Sequence, residues 1–89
     1  MAVERHVLTL PELGLGDRPV VASVWLVELG GEVMAGDRLL EVLASEVTID
    51  LPAPASGVLR ETLVEEDEPL VVGQPLAVIE GMTDPSDDE

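Results

Sequence analysis

The chain has 89 residues, and its 19 Asp and Glu against 4 Lys and Arg leave a formal net charge of −15. That length allows one domain at most and a modest core. The absence of Cys excludes a disulfide framework and a Cys-based zinc site, and the acidity disfavours nucleic acid and anionic membrane as partners.

All four basic residues are arginines, namely Arg5, Arg18, Arg38 and Arg60, and there is no lysine. The opening MAVERHVLTL lacks the features of a secretory leader, and no apolar run reaches the length of a membrane span. A cytoplasmic protein is the expectation.

The apolar residues are Val, Leu, Ile and Ala in short runs cut by Gly or Pro, which predicts strands rather than helices. The first candidate strand, 6–10, opens on His6, the only imidazole and by its isolation a surface residue. A Gly-rich stretch, Gly14 to Pro19, then reads as a surface loop. Residues 20–28 are apolar at nearly every position, as in a central strand, with Trp25 as a core anchor. A short piece near 32–34 leads to a strand over 38–44. Ser45-Glu46 forms a junction, and residues 47–51 alternate Val47, Ile49 and Leu51 with Thr48 and Asp50, as a half-buried strand does. The remaining strands are 57–64, a short piece near 69–71, and 75–80. The acidic run Glu65 to Glu68 is expected to be a solvated loop rather than a cation site. The closing MTDPSDDE is polar and acidic. These features divide the chain into an N-terminal extension (1–5), one domain (6–80) and an acidic disordered tail (81–89).

A repeat organises the chain. A slide of 37 residues brings Val21 onto Val58, Leu26 onto Leu63, Val33 onto Leu70, Gly36 onto Gly73 and Leu39 onto Leu76. An offset 4 residues longer pairs Leu8, Leu10 and Pro11 with Ile49, Leu51 and Pro52. Two copies of one unit, about 6–44 and 47–80, bury their apolar faces only against each other. A two-fold axis relating them sets the Ser45-Glu46 junction at the edge opposite the two chain ends. The expected core is Leu8, Leu10, Val24, Leu26, Val33, Leu40, Val42, Ile49, Leu51, Leu59, Leu63, Leu70, Leu76 and Val78 or their neighbours.

In this order and spacing, Leu10-Pro11-Glu12-Leu13-Gly14, Trp25-Leu26, Leu39-Leu40-Glu41-Val42 and Pro52-Ala53-Pro54-Ala55-Ser56-Gly57 resemble the lipoyl domains of 2-oxoacid dehydrogenase acyltransferases, and more distantly biotin carrier domains. The resemblance spans residues 6 to about 80. It implies an all-β flattened barrel (the barrel-sandwich hybrid) of two four-stranded sheets with pseudo-two-fold symmetry. It also implies a modified lysine at the hairpin tip, a fixed distance before Pro-Ala-Pro. Counted back from Pro52, the tip tripeptide is Ser45, Glu46 and Val47, so Glu46 stands at the lysine position. A carboxylate cannot form the amide through which lipoate or biotin is carried, and no other lysine exists to correct the register. No cofactor is therefore expected.

Several readings of Ser45-Glu46 stay open: an ordinary turn, a docking tip read by a basic partner, a group carried on Ser45, or a lysine replaced by engineering. The third fits poorly, because acidic carriers modified on Ser are helical bundles. No catalytic set and no metal site emerge, so an enzyme is not expected. The leading function is a non-acylated, lipoyl-like protein-contact or assembly module of a 2-oxoacid dehydrogenase-type complex. A carrier modified by another attachment, and a purely structural domain of a larger protein, are the alternatives. By the resemblance, the partner-contact residues are Glu12, Leu13, Gly14, Asp17 and Arg18 in the loop, with Ala44, Ser45, Glu46 and Val47 at the tip. The partner is then a dehydrogenase component.

Overall fold

The computed structural model describes residues 2–16 and 18–83. The elements are β1 (Ala2–Thr9), β2 (Val20–Trp25), β3 (Glu32–Val33), β4 (Arg38–Ala44), β5 (Val47–Pro52), β6 (Gly57–Thr62), β7 (Pro69–Leu70) and β8 (Pro75–Thr83). They form two antiparallel four-stranded sheets, β1-β8-β6-β3 and β5-β4-β2-β7, so each sheet draws two strands from each half of the chain. Neither half can bury its apolar side alone, because its strands are shared out between the layers. The strand pattern predicts such an all-β chain, and this is the arrangement of two four-stranded sheets that the resemblance implies.

Backbone hydrogen bonds carry the two-fold relation. Leu26 N donates to Leu39 O at 2.9 Å, and 37 residues on Leu63 N donates to Leu76 O at 2.8 Å. Likewise Gly30 N donates to Leu59 O at 2.8 Å, mirrored by Asp67 N to Ala22 O at 2.7 Å. The paired turns share their backbone: Gly30 has φ 87° and Asp67 φ 72°, and Gly36 φ 93° matches Gly73 φ 88°. Such left-handed positions favour glycine, and Asp is among the few other residues that accept them.

The first strand of each half departs from the expected offset. Leu10 N donates to Gln74 O, and Ala53 N to Asp37 O, so Leu10 is equivalent to Ala53 and Leu8 to Leu51. The observed offset is two residues longer than the apolar match suggested. A slip of two keeps every side chain on its face, so a period-two pattern does not resolve it. The strands also extend past the expected bounds: β1 begins at Ala2 and β8 runs to Thr83, which face each other across the ladder. Residues 84–89, most of the expected acidic tail, lie outside the described residues.

The core lies between the sheets, with Leu10, Leu39, Leu40, Val42, Leu59, Leu76 and Ile79 as its largest fully buried side chains. Ile49 packs half-buried at its rim. Three expected core residues are instead exposed: Val24 at 36%, Leu26 at 44% and Leu63 at 45%. Their neighbours Trp25, Val27 and Val64 pack inward. The cause is a β-bulge in each half, with Ser23 extra between Ala22 and Val24 and Arg60 extra between Leu59 and Glu61. One inserted residue exchanges inward and outward positions for the rest of the strand. Trp25 remains an anchor, half-buried, its indole N–H donating to Val64 O at 3.2 Å. Among the described residues, no helix is long and apolar enough to cross a membrane.

Candidate functional site

Strand register gathers three segments at one end of the molecule. Val20 lies between Ala44 on one side and Leu70 on the other. The residues just before Val20, just after Ala44 and just after Leu70 therefore meet there. These are the long connector, the hairpin tip and the Val71-Val72 turn. Two of the three were expected from sequence, and the structure brings them together.

The tip is a two-residue turn between the paired residues Ala44 and Val47. Ser45 has φ 57°, and Glu46 is not among the positive-φ residues. A short hairpin needs such a left-handed residue to follow the strands' twist. Ser45, Glu46 and Val47 are exposed, while Ala44 is buried. The tip thus offers a hydroxyl and a carboxylate to solvent, and no amine. No lysine occurs at the tip or elsewhere in the sequence.

The connector leaves β1 at Leu10, which is pinned by its N–H to Gln74 O at 3.0 Å and by Gly73 N to its own carbonyl at 2.8 Å. Glu12 Oε1 accepts from Gly14 N at 2.9 Å, closing a tight turn in which Gly14 has φ 71°. Leu13 turns back against the core, and Arg18 is exposed. Asp17 lies outside the described residues. Between this connector and the Val71-Val72 turn runs a cleft of about 270 Å³, floored by Leu10, Val20 and Leu70 and walled by Leu13, Leu15, Val71 and Val72, with Glu12 and Arg18 at its margin.

Val71 and Val72, exposed at 70% and 50%, were not anticipated. The available signal was two adjacent apolar residues beside a strand end, of which period-two geometry leaves at least one facing out. The other residues singled out from sequence have structural partners. His6 lies on the edge strand β1 with Nε2 3.3 Å from Glu4 Oε2. In the acidic run, Glu66 Oε2 accepts from Trp25 N at 3.1 Å and Glu68 Oε1 from Glu65 N at 3.1 Å, so these carboxylates tie down backbone as well as meeting solvent. Among the described residues, no three His, Cys, Asp or Glu side chains gather as metal ligands would.

A family model described as "Biotin-requiring enzyme", the biotin/lipoyl model, matches residues 6–79. The dihydrolipoyllysine-residue acetyltransferase component of the acetoin cleaving system of Pseudomonas putida is 39% identical over 74 residues, covering 83% of this chain and 20% of that protein. The corresponding component of the pyruvate dehydrogenase complex of Corynebacterium glutamicum is 36% identical over 70 residues, covering 79% of this chain and 10% of that protein. The lipoamide acyltransferase component of the branched-chain alpha-keto acid dehydrogenase complex of Bacillus subtilis is 34% identical over 80 residues, 90% of this chain and 18% of its own length. The chain thus spans a fifth or less of these three relatives. Among solved structures, a single-chain, multi-domain long-chain acyl-CoA carboxylase superposes with a TM-score of 0.70 at 20% identity, over 94% of this chain and 8% of that one, a likeness of fold alone. The chain belongs to the biotin/lipoyl attachment domain family, and within it is similar to the lipoyl domains of dehydrogenase-complex acyltransferases.

Proposed function

We propose that this chain is a lipoyl-type module that carries no prosthetic arm and works by protein contact, as an assembly or docking unit of a cytoplasmic 2-oxoacid dehydrogenase-type complex. One observation carries the reading: a member of an attachment family has no lysine in its entire sequence and turns its hairpin on Ser45-Glu46. An amide to lipoate or biotin needs a neutral amine to attack the acyl carbon, and Glu46 in the amine's place closes that route. What remains is the surface, and the exposed tip and the connector beside it form its most distinctive end. The relatives named as components of multi-enzyme complexes support a partner of that kind.

Intact mass of the chain isolated from its own cells tests the first half. The sequence mass is expected, and a lipoyl-sized or biotin-sized increment overturns the proposal. Glu46→Lys tests the position. Co-expressed with a lipoate ligase and lipoate, E46K is expected to gain one lipoyl group while the parent chain gains none. An E46K chain that is folded yet unmodified would mean that Glu46 is not the attachment position.

A further inference from the structure

We infer that the cleft between the connector and the Val71-Val72 turn receives one large apolar side chain from a basic segment of the partner protein. This rests on the contact-module reading above and supplies the chemistry of the partner.

The molecule contains its own control. From Leu10 the connector takes nine residues to reach Val20, whereas the equivalent connector from Ala53 takes three to reach Gly57. The short one closes onto its turn, with Ala35 N donating to Ser56 Oγ at 2.8 Å. The fold is thus complete without the additional residues, and these supply Leu13 and Leu15, one wall of the cleft.

The opposite wall is exposed without being loose. Val71 N donates to Gln74 Oε1 at 2.9 Å, Gln74 N to Val71 O at 2.9 Å, and Gly73 N to Leu10 O at 2.8 Å. A turn tied by three hydrogen bonds loses little freedom when its valines are covered, which is how a contact surface gains affinity from modest area. Apolar walls around a small concave site suit an anchor side chain of the kind that dominates interface energies.

Charge selects the flanks. Glu12 borders the cleft, Glu46 projects from the neighbouring tip, and the net charge of −15 makes the approach favourable for cations. Arg18, also at the margin, is one positive group in that field. The segment that fits is lysine- or arginine-rich around a leucine-like anchor.

The test uses two synthetic probes, a lysine-rich pentapeptide with leucine at its centre and the same peptide with serine there. Both are titrated into the 15N-labelled chain at about 0.15 M salt, where long-range attraction is screened. The leucine peptide is expected to bind about tenfold more tightly, with amide shifts centred on residues 13–20 and 71–73. A Val71→Ser/Val72→Ser variant is expected to keep its melting temperature and lose the leucine preference, while binding the serine peptide as the parent does. Equal affinities for the two peptides overturn the inference, as does a preference that survives the double variant. If that variant unfolds, Leu15→Ser on the opposite wall carries the same test. Neither peptide result bears on the mass of the native chain, so the inference and the reading beneath it fail separately.

Discussion

The two ends of the molecule occupy equivalent places in the fold and are built in opposite ways. At the end holding Ala2 and Thr83, Gly57 and Gly81 lie so close that a Cβ on Gly57 would run into the Glu80 carbonyl and come within 2.9 Å of Gly81 Cα. At the hairpin end the same positions are Val20 and Ala44, and both side chains fit. One end is closed by strands in near contact and a three-residue connector. The other is spread by side chains and lengthened by a loop. Where the halves agree, they encode the fold; where they differ most in length, at the connector, the difference lies on the surface proposed for contact.

That comparison can be broken or sharpened by substitution. The agreement between halves should be strongest at Leu39 and Leu76, equivalent and each fully buried. Leu39→Ala and Leu76→Ala should each cost about 3–4 kcal/mol in urea unfolding. A large disparity would mean that the two-fold relation does not extend to core energetics. Next, Gly57→Val installs the residue of the open end in the closed one. The clash is with backbone, so about 2–3 kcal/mol should be lost. Stability at the parent level would show that the closed end can spread after all.

Trp25 has Thr62 as its equivalent and alone reaches across to the Val64 carbonyl. Trp25→Phe should cost about 1 kcal/mol, chiefly for the lost hydrogen bond, and thermal melts at matched pH would read it. The smallest effect has the opposite sign. Asp67 adopts the left-handed backbone that Gly30 adopts in the other half. Asp67→Gly relieves that conformation but adds freedom to the unfolded chain, and the balance should be about 0.5 kcal/mol of stabilisation. A destabilised variant would show that the Asp67 side chain contributes more than its backbone costs.

Much of this architecture is written locally. Val47, Ile49 and Leu51 alternate with polar residues, and burial deepens along that face from exposed Val47 through half-buried Ile49 to buried Leu51. The repeat of Gly36 at Gly73 marks two turns with matching positive φ. What eluded sequence reasoning has a common cause. Val24, Leu26 and Leu63 each follow a bulge. In the apolar run around Ser23 both parities are apolar, so one extra residue is invisible to a period of two, whereas at Arg60 the change of parity falls within the polar stretch Arg60-Glu61-Thr62. The two-residue error in the offset of the first strand likewise preserves the pattern that was being read. At the candidate site, the connector and tip were legible because composition marks loops and spacing marks the junction. Val71 and Val72 were not, because apolar residues flanking Leu70 read as strand. Their exposure follows from the turn that Gln74 and Gly73 impose.

The pairing of Ala2 with Thr83, set against the hairpin joining Ala44 to Val47, has a consequence for how the fold is encoded. A polypeptide opened between Ser45 and Glu46 and spliced from Thr83 to Ala2 would meet every strand in its present neighbourhood, with the halves in reversed order. The architecture is thus indifferent to which half is translated first. Chain direction is marked by the side chains that make the two ends unlike.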